Sequence, residues 1–159
     1  MKAHQLLISA LLFCCLTPFA TAHIVLAHPR AAAGSHYKAV FQISHGCGGS
    51  PTNKITVQVP DGVSSVKPMP KPGWSLSVHG ESAVSWSGGT LVDAHYDEFV
   101  MLIKLPARPG TAYFKVVQEC EKGRQEWVQV PGQDKPAAGI RYPAPALTIE
   151  PAAIEHAHH

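Results

Sequence analysis

The sequence predicts an all-β protein, an antiparallel β-sandwich of the cupredoxin or immunoglobulin-like kind with about seven or eight short strands. Three observations predict it. Side chains alternate with a period of two along most of the chain. Clusters of turn-forming residues separate the alternating sets, and no stretch of a dozen residues carries a helical period of 3.6.

The elements follow in order. Tyr37, Ala39, Phe41 and Ile43 alternate with Lys38, Val40 and Gln42, which places the first set on a core face. Ile55, Val57 and Val59 form the next set, and Trp74, Leu76 and Val78 another. Phe99, Met101, Ile103 and Leu105 follow, and then the looser Phe114, Val116 and Gln118. A last alternating segment, Gln125 to Val130, carries Trp127. Turns are expected at Gly46 to Pro51, Pro60-Asp61-Gly62, Pro68 to Gly73, Ser87-Gly88-Gly89, Pro106 to Gly110 and Pro131-Gly132. From about Pro131 the chain is rich in Pro and Ala and reads as an extended strap.

A chain of 159 residues accommodates one ordinary domain, not a cofactor domain plus a substrate domain. Charged residues make up 15%, well below the usual quarter, and the formal charge is +2 with no basic stripe, which disfavours nucleic acid as a partner. The apolar share of 45% argues against disorder. Histidine stands out, with 10 residues. Lys2, the apolar run Leu6 to Leu16 and the small Ala20-Thr21-Ala22 read as a secretory signal peptide over residues 1–22. No other run reaches the roughly 20 apolar residues of a membrane helix. The expected organisation is therefore a signal peptide, a sandwich over 23–150, and a flexible tail over 151–159 that carries His156, His158 and His159.

Export leaves two cysteines, Cys47 and Cys120, since Cys14 and Cys15 depart with the leader. In an oxidising compartment they are expected to pair, the alternative being a cysteine metal site. Cleavage after Ala22 also creates a new group, the free amine of His23. That amine and the imidazole Nδ1 of the same residue can close one chelate ring around a metal ion. The amine has an ordinary pKa near 7.7–8.0, so a metal can displace its proton at neutral pH. Two nitrogen donors in a fixed bite suit Cu(II), which prefers tetragonal N/O ligands.

His23-Ile24-Val25-Leu26, Gly34-Ser35 before an alternating strand, and Ser44-His45-Gly46-Cys47 resemble the YcnI-like copper-binding domain family. So do Ser50-Pro51-Thr52, Pro60-Asp61-Gly62-Val63, Pro72-Gly73-Trp74, His95-Tyr96-Asp97-Glu98-Phe99, and Gln118-Glu119-Cys120-Glu121 followed by Trp127. The motifs run in order from His23 to about Pro131, over one domain's length. The resemblance implies an exported sandwich whose first mature residue binds Cu(II) through amine and imidazole, a single-histidine brace, with a tryptophan close by that is carried onto Trp127. The strings around His45 and His95 mark this sequence as a variant branch, which leaves the remaining ligands to physical argument.

His45 ends a strand beside Cys47, where a disulfide would hold the backbone still. His95, Asp97 and Glu98 open another strand; alternation puts His95 and Asp97 on one face and Glu98 on the other. The expected metal ligands are His23, His45, Glu98 and His95, with Trp127 and Asp97 supporting them. Trp127 is expected to shield the metal, because a protonated indole nitrogen is a poor ligand. Trp74 and Trp86 read as core, His28, His36 and His79 as surface or turn residues, and Met69 and Met101 are too few for a methionine-rich Cu(I) site.

The function expected from this reading is a periplasmic or secreted Cu(II) carrier or chaperone in copper homeostasis or cuproenzyme assembly. It would pass copper to an inner-membrane transporter or an assembly factor. No hydrolase, zincin or phosphate-loop motif is present, so no enzyme is expected. Two other readings compete: a copper-dependent oxidative enzyme of the polysaccharide-monooxygenase kind, and a structural sandwich without metal.

Overall fold

The computed structural model describes residues 23–133 and 139–152. The leader expected over 1–22 and the tail histidines His156, His158 and His159 lie outside the described residues. Among the described residues twelve strands run in chain order: β1 Val25–Leu26, β2 Arg30–Ala32, β3 His36–Ile43, β4 Thr52–Gln58, β5 Ser64–Pro68, β6 Ser75–His79, β7 Ala83–Leu91, β8 Asp97–Lys104, β9 Gly110–Tyr113, β10 Lys115–Cys120, β11 Arg124–Trp127 and β12 Ala146–Glu150. They form a four-stranded sheet β1-β3-β8-β5, a five-stranded sheet β11-β10-β4-β7-β6, and a small sheet β2-β12-β9.

The two larger sheets bury their alternating faces against each other. From the first come Tyr37, Ala39, Phe41, Ile43, Phe99, Met101 and Ile103; the second supplies Ile55, Val57, Val84, Trp86 and Val116. Aromatic rings lock the interface edge to face: Phe41 meets Phe114 at 5.4 Å, and Trp86 meets Phe99 at 5.6 Å. Burying a large side chain of this kind contributes about 1.5–3 kcal/mol, so the alternation read from sequence is the main force that pairs the sheets. Trp86 is fully buried as expected, while Trp74 is partly buried and packs on Phe99 at 5.0 Å. Burial also pushes the phenol of Tyr37, which donates to the carbonyl of His28, up to about 12.

Two expectations need correction. Ser87-Gly88-Gly89 is no turn: β7 runs through it, and the register against β4 slips between Thr52 and Lys54. Gly88 has φ 83°, so the glycines form a bulge that bends a continuous strand. Gly89 also has a packing duty, since a Cβ there would lie 2.1 Å from the Trp74 ring. The proline-rich end is no simple strap, because β12 pairs parallel with β2 and antiparallel with β9. The extra strands, β1, β2, β5 and β9, are too short or too irregular to show a period of two.

Cys47 and Cys120 form a disulfide with a Cα–Cα separation of 6.0 Å. It joins the loop after β3 to the end of β10, so it ties one main sheet to the other. The cysteine metal site is thereby excluded for the folded, oxidised protein.

Candidate metal centre

The loop that carries His45 is shaped by its own sequence. Gly46 is buried against the chain, and a Cβ there would lie 1.9 Å from the Ser50 carbonyl oxygen, so only glycine fits. Cys47 and Ser50 exchange backbone hydrogen bonds around Gly48 and Gly49, whose φ values of 59° and 88° make a tight turn that favours glycine at both positions. The Gly46 amide donates to Asp93 Oδ1 at 2.8 Å, and the disulfide anchors Cys47. His45 therefore sits on a fixed backbone.

Its ring is fixed as well. His45 Nδ1 lies 2.6 Å from the Gly46 carbonyl oxygen. A carbonyl only accepts, so Nδ1 carries the proton and the lone pair of the neutral ring is on Nε2. That is the tautomer suited to coordination through Nε2.

Trp127 is in ring contact with two histidines. Its ring centroid is 5.7 Å from that of His23 and 5.8 Å from that of His45, both edge to face. Tyr142 packs on the same indole at 5.3 Å. Trp127 is 2% exposed, whereas both histidines are half-buried, so the indole forms a floor with imidazoles at its rim. Beneath it Gln118, 0% exposed, accepts the indole N–H at Oε1 (3.2 Å). Its Nε2 donates to the His45 carbonyl and to Thr52 Oγ1, both at 2.8 Å. His23 lies two residues before β1, on a segment anchored by buried Ile24 and Leu26, and it borders an open apolar groove with Pro143 and Ala144.

The other expected residues lie elsewhere. Glu98 pairs with Gln42 across β3 and β8 and accepts hydrogen bonds from the Tyr96 hydroxyl and from Gln42 Nε2. The Tyr96 donor, and then Gln42, hold the Glu98 carboxyl below its usual range; the same contact raises the Tyr96 phenol. Asp97 faces the opposite way, in an ion pair with Lys71 at 2.6 Å. His95 is exposed and precedes β8, in a turn closed by its amide on the Val92 carbonyl. Among the described residues, no three His, Cys, Asp or Glu side chains form a group that could hold a metal ion. The nitrogen donors beside Trp127 among the described residues are thus the two imidazoles of His23 and His45.

Gln118, Thr52 and Tyr142 are not among the site residues expected from sequence. Gln118 did leave a signal, a polar residue at an inward position of an alternating strand. Tyr142 left none, because its approach to Trp127 depends on the return of the last segment.

The fold and this corner define an immunoglobulin-like β-sandwich with one inter-sheet disulfide and a histidine–tryptophan cluster at one end. The chain belongs to the family described as "Domain of unknown function (DUF1775)", matched over residues 23–82 and 79–149, the family that includes YcnI. Among solved structures it is similar to an uncharacterized protein from Nocardia farcinica with an immunoglobulin-like fold. Identity there is 25% and the TM-score 0.69, with 82% of this chain and 99% of that one covered. It also resembles the Reelin-N domain of F-spondin at 13% identity and TM-score 0.52, over 82% of this chain and 86% of that one. A search of curated proteins finds no match. No helix among the described residues is long and apolar enough to cross a membrane.

Proposed function

We propose that this protein is an exported Cu(II) carrier that takes its metal at His23 and His45 over the Trp127 floor. The observation that carries the reading is the placement of both imidazoles against one buried indole, each within 6 Å between ring centroids. The family match and the sequence resemblance to YcnI-like copper-binding domains support it. Cleavage before His23 would add an amine, giving a nitrogen-rich set that suits Cu(II). His45, held with its proton on Nδ1 and its lone pair on Nε2, supplies the second imidazole. Trp127 excludes water from one side of the ion without joining its ligands. The half-buried rim leaves the ion accessible for transfer to a transporter or an assembly factor in the inner membrane, the destination that fits a carrier.

The test is a Cu(II) titration of protein beginning at His23 and of the same protein with one added N-terminal residue. The addition removes the free amine from the chelate, so its affinity should fall by more than the roughly 10–100-fold that partners outside the ligand set cost. Equal affinities would sink the brace. Peroxide-driven oxidation of chitin or cellulose by the copper-loaded protein would replace the carrier with an enzyme.

A further inference from the structure

We infer that Gln118 is the positioning residue of the metal site, a single buried amide that sets the His45 backbone and the Trp127 indole relative to each other. The inference rests on the copper reading for its functional meaning but on independent geometry for its content. Gln118 is fully buried on β10, with a core position on each side in Val116 and Cys120. Its amide orientation is forced. An indole N–H can only donate and a backbone carbonyl can only accept, so Oε1 must face Trp127 and Nε2 must face His45. The second Nε2 hydrogen goes to Thr52 Oγ1. That hydroxyl accepts from Gln118 and keeps its own proton for the Cys120 sulfur, 3.8 Å away. Both amide hydrogens and the oxygen are used.

The connections cross the sandwich. His45 follows β3 of one sheet, while Trp127 ends β11 and Gln118 lies in β10 of the other. The disulfide makes a parallel link, since Cys47 is two residues beyond His45 and Cys120 two beyond Gln118. The covalent link fixes how far apart the two chain segments stand. The amide fixes their angular setting, because only a planar group with a donor and an acceptor end meets a carbonyl on one side and an indole N–H on the other. A methionine of similar length would fill the space and make neither bond. A glutamate would keep the acceptor for Trp127 and lose both donors when ionised, or one of them when protonated, so the two variants separate the two anchors.

The test uses protein purified after export, with Gln118→Met and Gln118→Glu compared with the parent. Nitrogen-15 NMR of the metal-free protein reads the His45 tautomer and the solvent exchange of the Trp127 indole N–H; Cu(II) competition and EPR read the site. Gln118→Met should speed indole exchange at least tenfold and shift the His45 ring signals. Gln118→Glu should shift the His45 signals while leaving the indole protected. In both, Cu(II) affinity should fall between about 10- and 100-fold with altered EPR hyperfine splitting, and in a His45→Ala background Gln118→Met should cost nothing further. If either variant fails to fold, the other still decides the His45 anchor. Unchanged ring signals and indole exchange in a folded variant overturn the inference, as does a full Gln118→Met loss that persists without His45. Should the parent bind no copper, the carrier reading fails, while the metal-free NMR still decides whether Gln118 sets the two rings.

Discussion

His45 and Glu98 stand near the same end of the same sheet, yet their surroundings differ in kind. His45 is held by a buried amide, an aspartate-bonded glycine and a disulfide, with every donor of Gln118 satisfied. Glu98 is held by Tyr96, which is 55% exposed, and by the half-buried Gln42, on the outer face of β3 and β8. A hydrogen bond buried in low dielectric is costly to break, because the abandoned partner stays desolvated; water replaces an exposed one at little cost. Of the two polar clusters, the one around Trp127 is therefore built to hold a geometry, and the one around Glu98 is free to exchange partners.

The comparison breaks most visibly at the disulfide. Cys47 and Cys120 are 73 residues apart, and closing a loop of that length restricts the unfolded chain by roughly 4 kcal/mol on the entropy model. The pair Cys47→Ser and Cys120→Ser should lower unfolding free energy by an amount of that order in urea titrations. A loss under about 1 kcal/mol would show that buried packing holds the His45 corner without covalent help.

A sharper contrast comes from one substitution in each cluster. His45→Ala should weaken Cu(II) by about tenfold or more, while Glu98→Gln, which keeps the side-chain size, should leave affinity within about twofold. A tenfold loss for Glu98→Gln would mean that the carboxylate leaves Tyr96 to join the metal, as the sequence reading expects. Competition against a chelator of known affinity measures both.

Much of the fold could be read before the structure because core alternation is a strong signal over strands as long as β3 and β8. Phe41 and Phe99 fall inward as their spacing requires. Gly88-Gly89 misleads because glycine marks both turns and bulges, and only the partner strand decides between them. The candidate site was legible in its parts: His23 from the expected cleavage position, His45 from its place beside a cysteine, Trp127 from resemblance. What sequence could not supply was convergence. His95, Asp97 and Glu98 are consecutive or nearly so, but β8 begins at Asp97, so His95 stays in the preceding turn. Asp97 and Glu98 then point to opposite faces, one to Lys71 and the other to Tyr96.

The smallest effect lies in the Tyr96–Glu98 contact and its dependence on pH. Tyr96 holds the Glu98 carboxyl below its usual range, so Glu98 stabilises the fold above its unfolded pKa of about 4.3, and that contribution is lost as pH falls through the lower folded value. Glu98 in turn raises the Tyr96 phenol, which stabilises the fold below its unfolded pKa of about 10 and loses that effect as pH rises through the raised value. Tyr96→Phe removes the shared proton from both. Its stability deficit should be flat from about pH 5 to 9 and shrink at both extremes. Because the pair is solvent-screened, the plateau should not exceed about 0.5 kcal/mol. Denaturant titrations across that range measure it. A deficit several times larger, or one that does not shrink in acid, would place the Glu98 cluster with the Gln118 cluster as a fixed part of the molecule.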